Sequence, residues 1–147
     1  MTGLVLEGGA RRCLFTAGVL DELLRAGLRF DYVIGVSAGA AAAMDFCAGM
    51  VGRTRAVLQP SAPRLSGADA MPLRHQLSAE LERLVMKVPY GQEHPFDFDA
   101  LRASETILEI GATCCETARP AYFRFDGDEK RLLTALKASC SLPVLLP

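Results

Sequence analysis

Residues 33–42 read VIGVSAGAAA. An apolar, β-branched run leads into Gly35-Val36-Ser37-Ala38-Gly39, and alanines follow. This is the G-x-S-x-G pattern of a sharp strand-to-helix turn that lifts a serine hydroxyl clear of a sheet. Flanking glycines permit strained backbone angles and close approach of neighbouring segments. The same five residues also fit a plain turn whose serine only caps the helix. The surrounding sequence decides between the two readings.

Upstream, GLVLE (3–7) is a short buried-strand pattern that ends on Gly8-Gly9. Leu14, Phe15, Val19, Leu20, Leu23 and Leu24 then recur at helical spacing, and Gly27 supplies a stop. FDYVIGV (30–36) reads as a second strand and SAGAAAAMDFCAGM (37–50) as a second helix. The first fifty residues therefore predict strand, helix, strand, helix: a βαβ unit with parallel strands and a right-handed crossover.

Downstream, residues 59–75 have the proline, serine and glycine content of a loop, and a mobile cover is expected over 53–75. Helical period returns over 75–88, and a short helix is expected at 98–104. TILEIGATCCE (106–116) and PAYFRF (120–125) read as two strands joined by a turn near 117–120. Asp126-Gly127-Asp128 is a turn, and 129–141 is a final helix. The apolar ending LPVLLP has the look of a cut rather than of a natural domain end.

The chain of 147 residues fits a single domain, 1–147, with a core of useful size. Half its residues are hydrophobic and 22% are charged, which is globular composition. A formal net charge of -1 gives no reason to expect a nucleic-acid partner. No apolar run reaches the length of a membrane span, and the N-terminus lacks the pattern of a signal peptide, so a cytoplasmic location is the default expectation. Five cysteines without a C-x-x-C pair read as reduced, mostly buried thiols. Two histidines, His75 and His94, are too few for a histidine-rich metal site, and no metal or organic cofactor is implied.

A serine hydroxyl needs a base to take its proton and donors aimed at the oxyanion that forms on attack. The glycine turn EGGARRC (7–13) opens a helix, where backbone amides and the helix dipole favour negative charge. In a βαβ unit both strands end on the same sheet edge, so this turn and Ser37 are expected side by side. That convergence favours a serine hydrolase.

The stretch LVLEGGARRCLFTAGVLDELLRAGLRFDYVIGVSAGA (4–40) resembles the opening of the patatin-like phospholipases: a glycine-rich loop, then a G-x-S-x-G serine one βα unit later. PFDFDALRASETILEIGATCCETARPAYF (95–123) and LLTALKASCSLP (132–143) resemble the family's middle strands and its Ala-Ser-x-x-x-Pro segment. The likeness is weakest over 53–90. It implies a three-layer α/β/α fold with a largely parallel sheet, incomplete at its C-terminus, and hydrolysis of lipid acyl esters through a Ser–Asp dyad. By position, Ser37 is the implied nucleophile, with Gly35 and Gly39 framing the elbow. Gly8, Gly9 and Ala10 form the implied oxyanion loop, with Arg12 as its basic residue. The implied partner is a lipid or acyl-ester substrate, with transient contact to a membrane surface.

Two positions depart from the family pattern. Ala10 and Cys13 stand where glycines are usual. A methyl at 10 is tolerable if the backbone there is not left-handed, and Cys13 is expected to crowd the turn. The family's aspartate follows the Ala-Ser-x-x-x-Pro segment, and none is present in that position before Pro147; Asp126, which precedes the last helix, is a poor substitute. Three other readings stay open. An α/β-hydrolase using His94 needs more strands before its elbow than 36 residues allow. A dinucleotide-binding unit needs a G-x-G-x-x-G spacing that EGGARRC lacks. A non-catalytic, lipid-binding member of the same family fits the altered loop and the absent aspartate.

Overall fold

The computed structural model describes residues 1–59, 75 and 81–142. Four strands form one sheet in the order β1-β2-β3-β4: β1 Gly3–Leu6, β2 Tyr32–Val36, β3 Ile107–Thr113 and β4 Pro120–Arg124. β1, β2 and β3 run parallel, with Gly3 opposite Tyr32 and Tyr32 opposite Ile107. β4 returns antiparallel to β3, pairing Thr113 with Pro120 and Glu109 with Arg124.

The predicted βαβ unit is present. A 3-10 turn at Ala10–Arg12 leads into α1 (Cys13–Arg25), and α2 (Ala38–Cys47) follows β2 directly. Right-handed crossovers that step in one direction put their helices on one face of the sheet. Leu6, Val33, Leu108 and Ile110 accordingly share a single core with Leu20 and Leu24 of α1 and with Ala40, Ala43 and Phe46 of α2. The last helix, α5 (Glu129–Cys140), adds Leu132, Leu133 and Leu136 to the same core. On the alternate sheet face Val5 is 78% and Tyr122 60% exposed. The mixed, mostly parallel sheet with its helices fits a three-layer α/β arrangement. The described residues supply the sheet and one of the helical layers.

Two short helices hold the middle of the chain. α4 (Phe98–Ala103) begins on Asp97, whose carboxylate accepts the Ala100 N–H at 2.8 Å. α3 (Arg53–Leu58) lies inside the stretch expected to be a mobile cover, and that part of the expectation is corrected. Its anchor is polar. Asp45 on α2 is buried and takes Arg53 Nη1 at 2.7 Å and the Thr54 hydroxyl at 2.6 Å. Arg53 also donates to the carbonyls of His94, at 2.9 Å, and Pro95, at 3.1 Å, with its guanidinium over the Phe96 ring. A local scan for loop composition does not register such a cluster. The rest of the expected cover, 60–74, lies outside the described residues. The helical period expected over 75–88 is met in its described part by helical turns through Tyr90, widened over Arg83–Lys87 and tightened over Val88–Tyr90.

Candidate active site

β2 ends at Val36 and α2 begins at Ala38, so Ser37 alone makes the turn. Its backbone sits at φ 54°, ψ −126°. An L-residue held there carries strain on the order of 1–3 kcal/mol. The strain of the elbow is thus on the serine, and the glycines answer a different need. Neither Gly35 nor Gly39 is in the left-handed region. A Cβ on Gly35 would meet the Gly39 carbonyl oxygen at 2.4 Å and the Ala40 Cα at 2.6 Å. A Cβ on Gly39 would meet the carbonyl oxygens of Glu7 at 2.4 Å and Leu6 at 2.5 Å. Both glycines exist so that α2 can start against the backbone of its own strand and of β1.

The glycine turn after β1 lies beside the serine. A Cβ on Gly8 would stand 3.1 Å from the Ser37 Cβ and 3.3 Å from the Val36 carbonyl oxygen. No acceptor among the described residues takes the amide protons of Gly8, Gly9 or Ala38. Arg12 folds back along Gly9, where a Cβ would lie 3.4 Å from its Nε. Half-buried Ser37 therefore has free backbone donors on two sides and a cation over the turn.

Ala10 is left-handed at φ 47°, the condition under which its methyl is not well tolerated. Cys13 does not crowd the turn. It is an ordinary helical residue at φ −62°, 3% exposed, and its thiol donates to the Ala38 carbonyl at 3.4 Å, joining the starts of α1 and α2.

The last turn of α5 brings two residues to the elbow. Ser139 Oγ accepts the Ser37 N–H at 2.7 Å and donates to the Gly111 carbonyl at 2.6 Å. Burial pushes the Cys140 thiol above the ordinary cysteine range, against a smaller opposing influence of the Ser37 side chain. At neutral pH the thiol is protonated and supplies no base. The Ala-Ser-x-x-x-Pro likeness at 138–143 was the one sequence signal for this contact.

No carboxylate or imidazole among the described residues hydrogen-bonds Ser37. Asp126 is excluded by topology. β4 runs against β2, and the Phe125 N–H bonds the Leu108 carbonyl, which places Asp126 level with the start of β2. That is about 16 Å along the sheet from Ser37, at roughly 3.3 Å per strand residue. There Asp126 pairs with Arg131 and accepts the Asp128 N–H. His75 is exposed. His94 lines a cavity of about 240 Å³ with Ala56, Val57, Arg83 and Glu93, and that cavity shares no residue with the elbow. With no histidine hydrogen-bonded to Ser37 among the described residues, the α/β-hydrolase reading has no support. No described helix is long and apolar enough to cross a membrane.

The chain is 48% identical over 143 residues to the uncharacterized protein YjjU of Escherichia coli (strain K12), a match that covers 95% of this chain and 40% of that protein. The chain thus spans about 40% of the length of the curated relative it matches. Among solved structures, the type III effector protein ExoU aligns over 97% of this chain and 40% of its own, at 16% identity and a TM-score of 0.42. The family model for patatin-like phospholipases matches residues 4–147, and the chain belongs to that family.

Proposed function

We propose that the protein is a serine acyl-ester hydrolase acting on lipids, of phospholipase A or lysophospholipase type, with Ser37 as nucleophile. Ser37 Oγ attacks the ester carbonyl and passes its proton to a base. The carbonyl oxygen becomes an oxyanion in reach of the Ala38 amide and those of Gly8 and Gly9, with Arg12 over the turn. The alcohol leaves with a proton, and water then hydrolyses the acyl-Ser37 ester. In this reading the base is an aspartate outside residues 1–147. Transient contact with a lipid surface belongs to the same reading. The observation that carries it is the side-by-side placement of strained Ser37 and Gly8, whose amide has no acceptor among the described residues.

A second reading, a non-catalytic lipid-binding member, draws on the absence of a carboxylate at Ser37 among the described residues and on the left-handed Ala10. A fluorophosphonate applied to the protein at its full natural length separates the two. The enzyme reading expects a single label on Ser37, lost in Ser37→Ala. An unlabelled Ser37, or a label on Ser139 or Ser141 that survives Ser37→Ala, overturns it.

A further inference from the structure

The strained turn at Ser37, φ 54°, is held on its carbonyl side by the amides of Ala40 at 2.9 Å and Ala41 at 3.2 Å. The residue's own N–H is held by a side chain 102 positions away, the hydroxyl of Ser139 at 2.7 Å. The directions of the two bonds at that hydroxyl are forced. An amide N–H can only donate and a carbonyl can only accept, so Ser139 must turn a lone pair to Ser37 and give its one proton to Gly111 at 2.6 Å. The hydroxyl is therefore locked in one orientation between the elbow and the end of β3. It also removes the Ser37 N–H from the set of amides free to face a substrate.

We propose that Ser139 is the positioning residue of the nucleophile: its hydroxyl clamps the Ser37 backbone to β3 and so fixes where Ser37 Oγ points. The proposal rests on the reading of Ser37 as nucleophile. Loss of the hydroxyl leaves the Ser37 N–H and the Gly111 carbonyl without their partner, and the strained turn can relax. A misplacement of about 1 Å at a reacting atom costs on the order of 100-fold in rate. Reagent binding, which Ser139 does not touch, changes little.

The test is the kinetics of Ser37 modification by a fluorophosphonate in the full-length protein, resolved into a maximal rate and a half-saturating concentration. Ser139→Ala is expected to lower the maximal rate roughly 10- to 100-fold while the half-saturating concentration stays within about twofold. Ser139→Thr, which keeps the hydroxyl, should recover most of the rate. Ser139→Val has the shape of Thr without the hydroxyl and should not, so the Thr–Val pair decides the matter even if Ser139→Ala fails to fold. Equal rates for Thr and Val, or a wild-type rate in Ser139→Ala, overturn the clamp and leave Ser37 as nucleophile. A wild-type protein that takes no label on Ser37 overturns the nucleophile itself, and the clamp with it.

Discussion

A Cβ on Gly39 would lie 2.4 Å from the carbonyl oxygen of Glu7, so α2 starts in direct backbone contact with the end of β1. Gly39→Ala and Gly35→Ala should each force a backbone shift, since the atoms in the way belong to main chain rather than to movable side chains. Overpacking of this kind costs about 1–3 kcal/mol, and thermal unfolding should show it as a clear drop in Tm. Gly18→Ala in the interior of α1 is the control. A Cβ there meets nothing within 4 Å, so the variant should gain about 0.5–1 kcal/mol.

The two departures from the family's glycine loop separate in their effects. Ala10→Gly relieves a left-handed alanine, a strain of roughly 1–2 kcal/mol, partly offset by the freer unfolded chain. A net gain of about 0.5–1 kcal/mol in urea unfolding is expected, with faster labelling of Ser37. Cys13→Gly removes a buried thiol and its bond to Ala38. It should cost on the order of 1–2 kcal/mol. A double glycine variant that labels faster than Ala10→Gly alone would contradict the structural role given to Cys13.

Asp45 gives the fold a distinctive pH response. Burial, the largest influence, holds its carboxyl above the ordinary aspartate value, against the opposing pull of Arg53 and Thr54. The folded chain then takes up this proton at a higher pH than the unfolded chain does. Stability from Asp45 is fully present below the unfolded value of 3.8 and is lost as pH rises through the folded one. Arg53→Met should therefore cost about 3–5 kcal/mol near neutrality, and progressively less as the pH is lowered and Asp45 becomes neutral. Urea unfolding of both proteins across the acid range measures the difference. A loss that grows toward acid pH would falsify this assignment.

Asp126→Asn should leave the rate of Ser37 labelling within about twofold of wild type, because topology puts the two residues at opposite edges of the sheet. The exposed pair with Arg131 predicts a stability change of no more than about 1 kcal/mol. A large loss of labelling in a folded Asp126→Asn protein would mean that the carboxylate reaches the elbow by a route this fold does not contain.

The parts of the fold legible in the sequence are those encoded within a few residues. The βαβ unit follows from apolar period and glycine stops, and the elbow from five consecutive residues. The β3–β4 pair and α5 fall within one to three residues of their expected ends. What was not legible depends on contacts between distant segments. Arg53, Thr54 and Asp45 look like unrelated polar residues until α3 folds onto α2. Ser139 is one hydroxyl in a helix until docking of α5 brings it to Ser37. The left-handed backbone of Ala10 belongs to the turn that leads from β1 into α1, which no propensity reports.

The reversed direction of β4 has a consequence for how this protein can change. Because β4 ends at the far edge of the sheet, α5 travels back across it and arrives at Ser37 only with its last turn. Its twelve residues act as a measured spacer of about 18 Å at 1.5 Å per residue. One residue added or removed between Asp128 and Ser139 would swing the hydroxyl by about 100° around the helix axis and away from both of its partners. Substitutions on the outer face of α5 are cheap, whereas a change in its length is not. The helix can drift in composition while its count of residues stays fixed by the serine at the other end of the sheet.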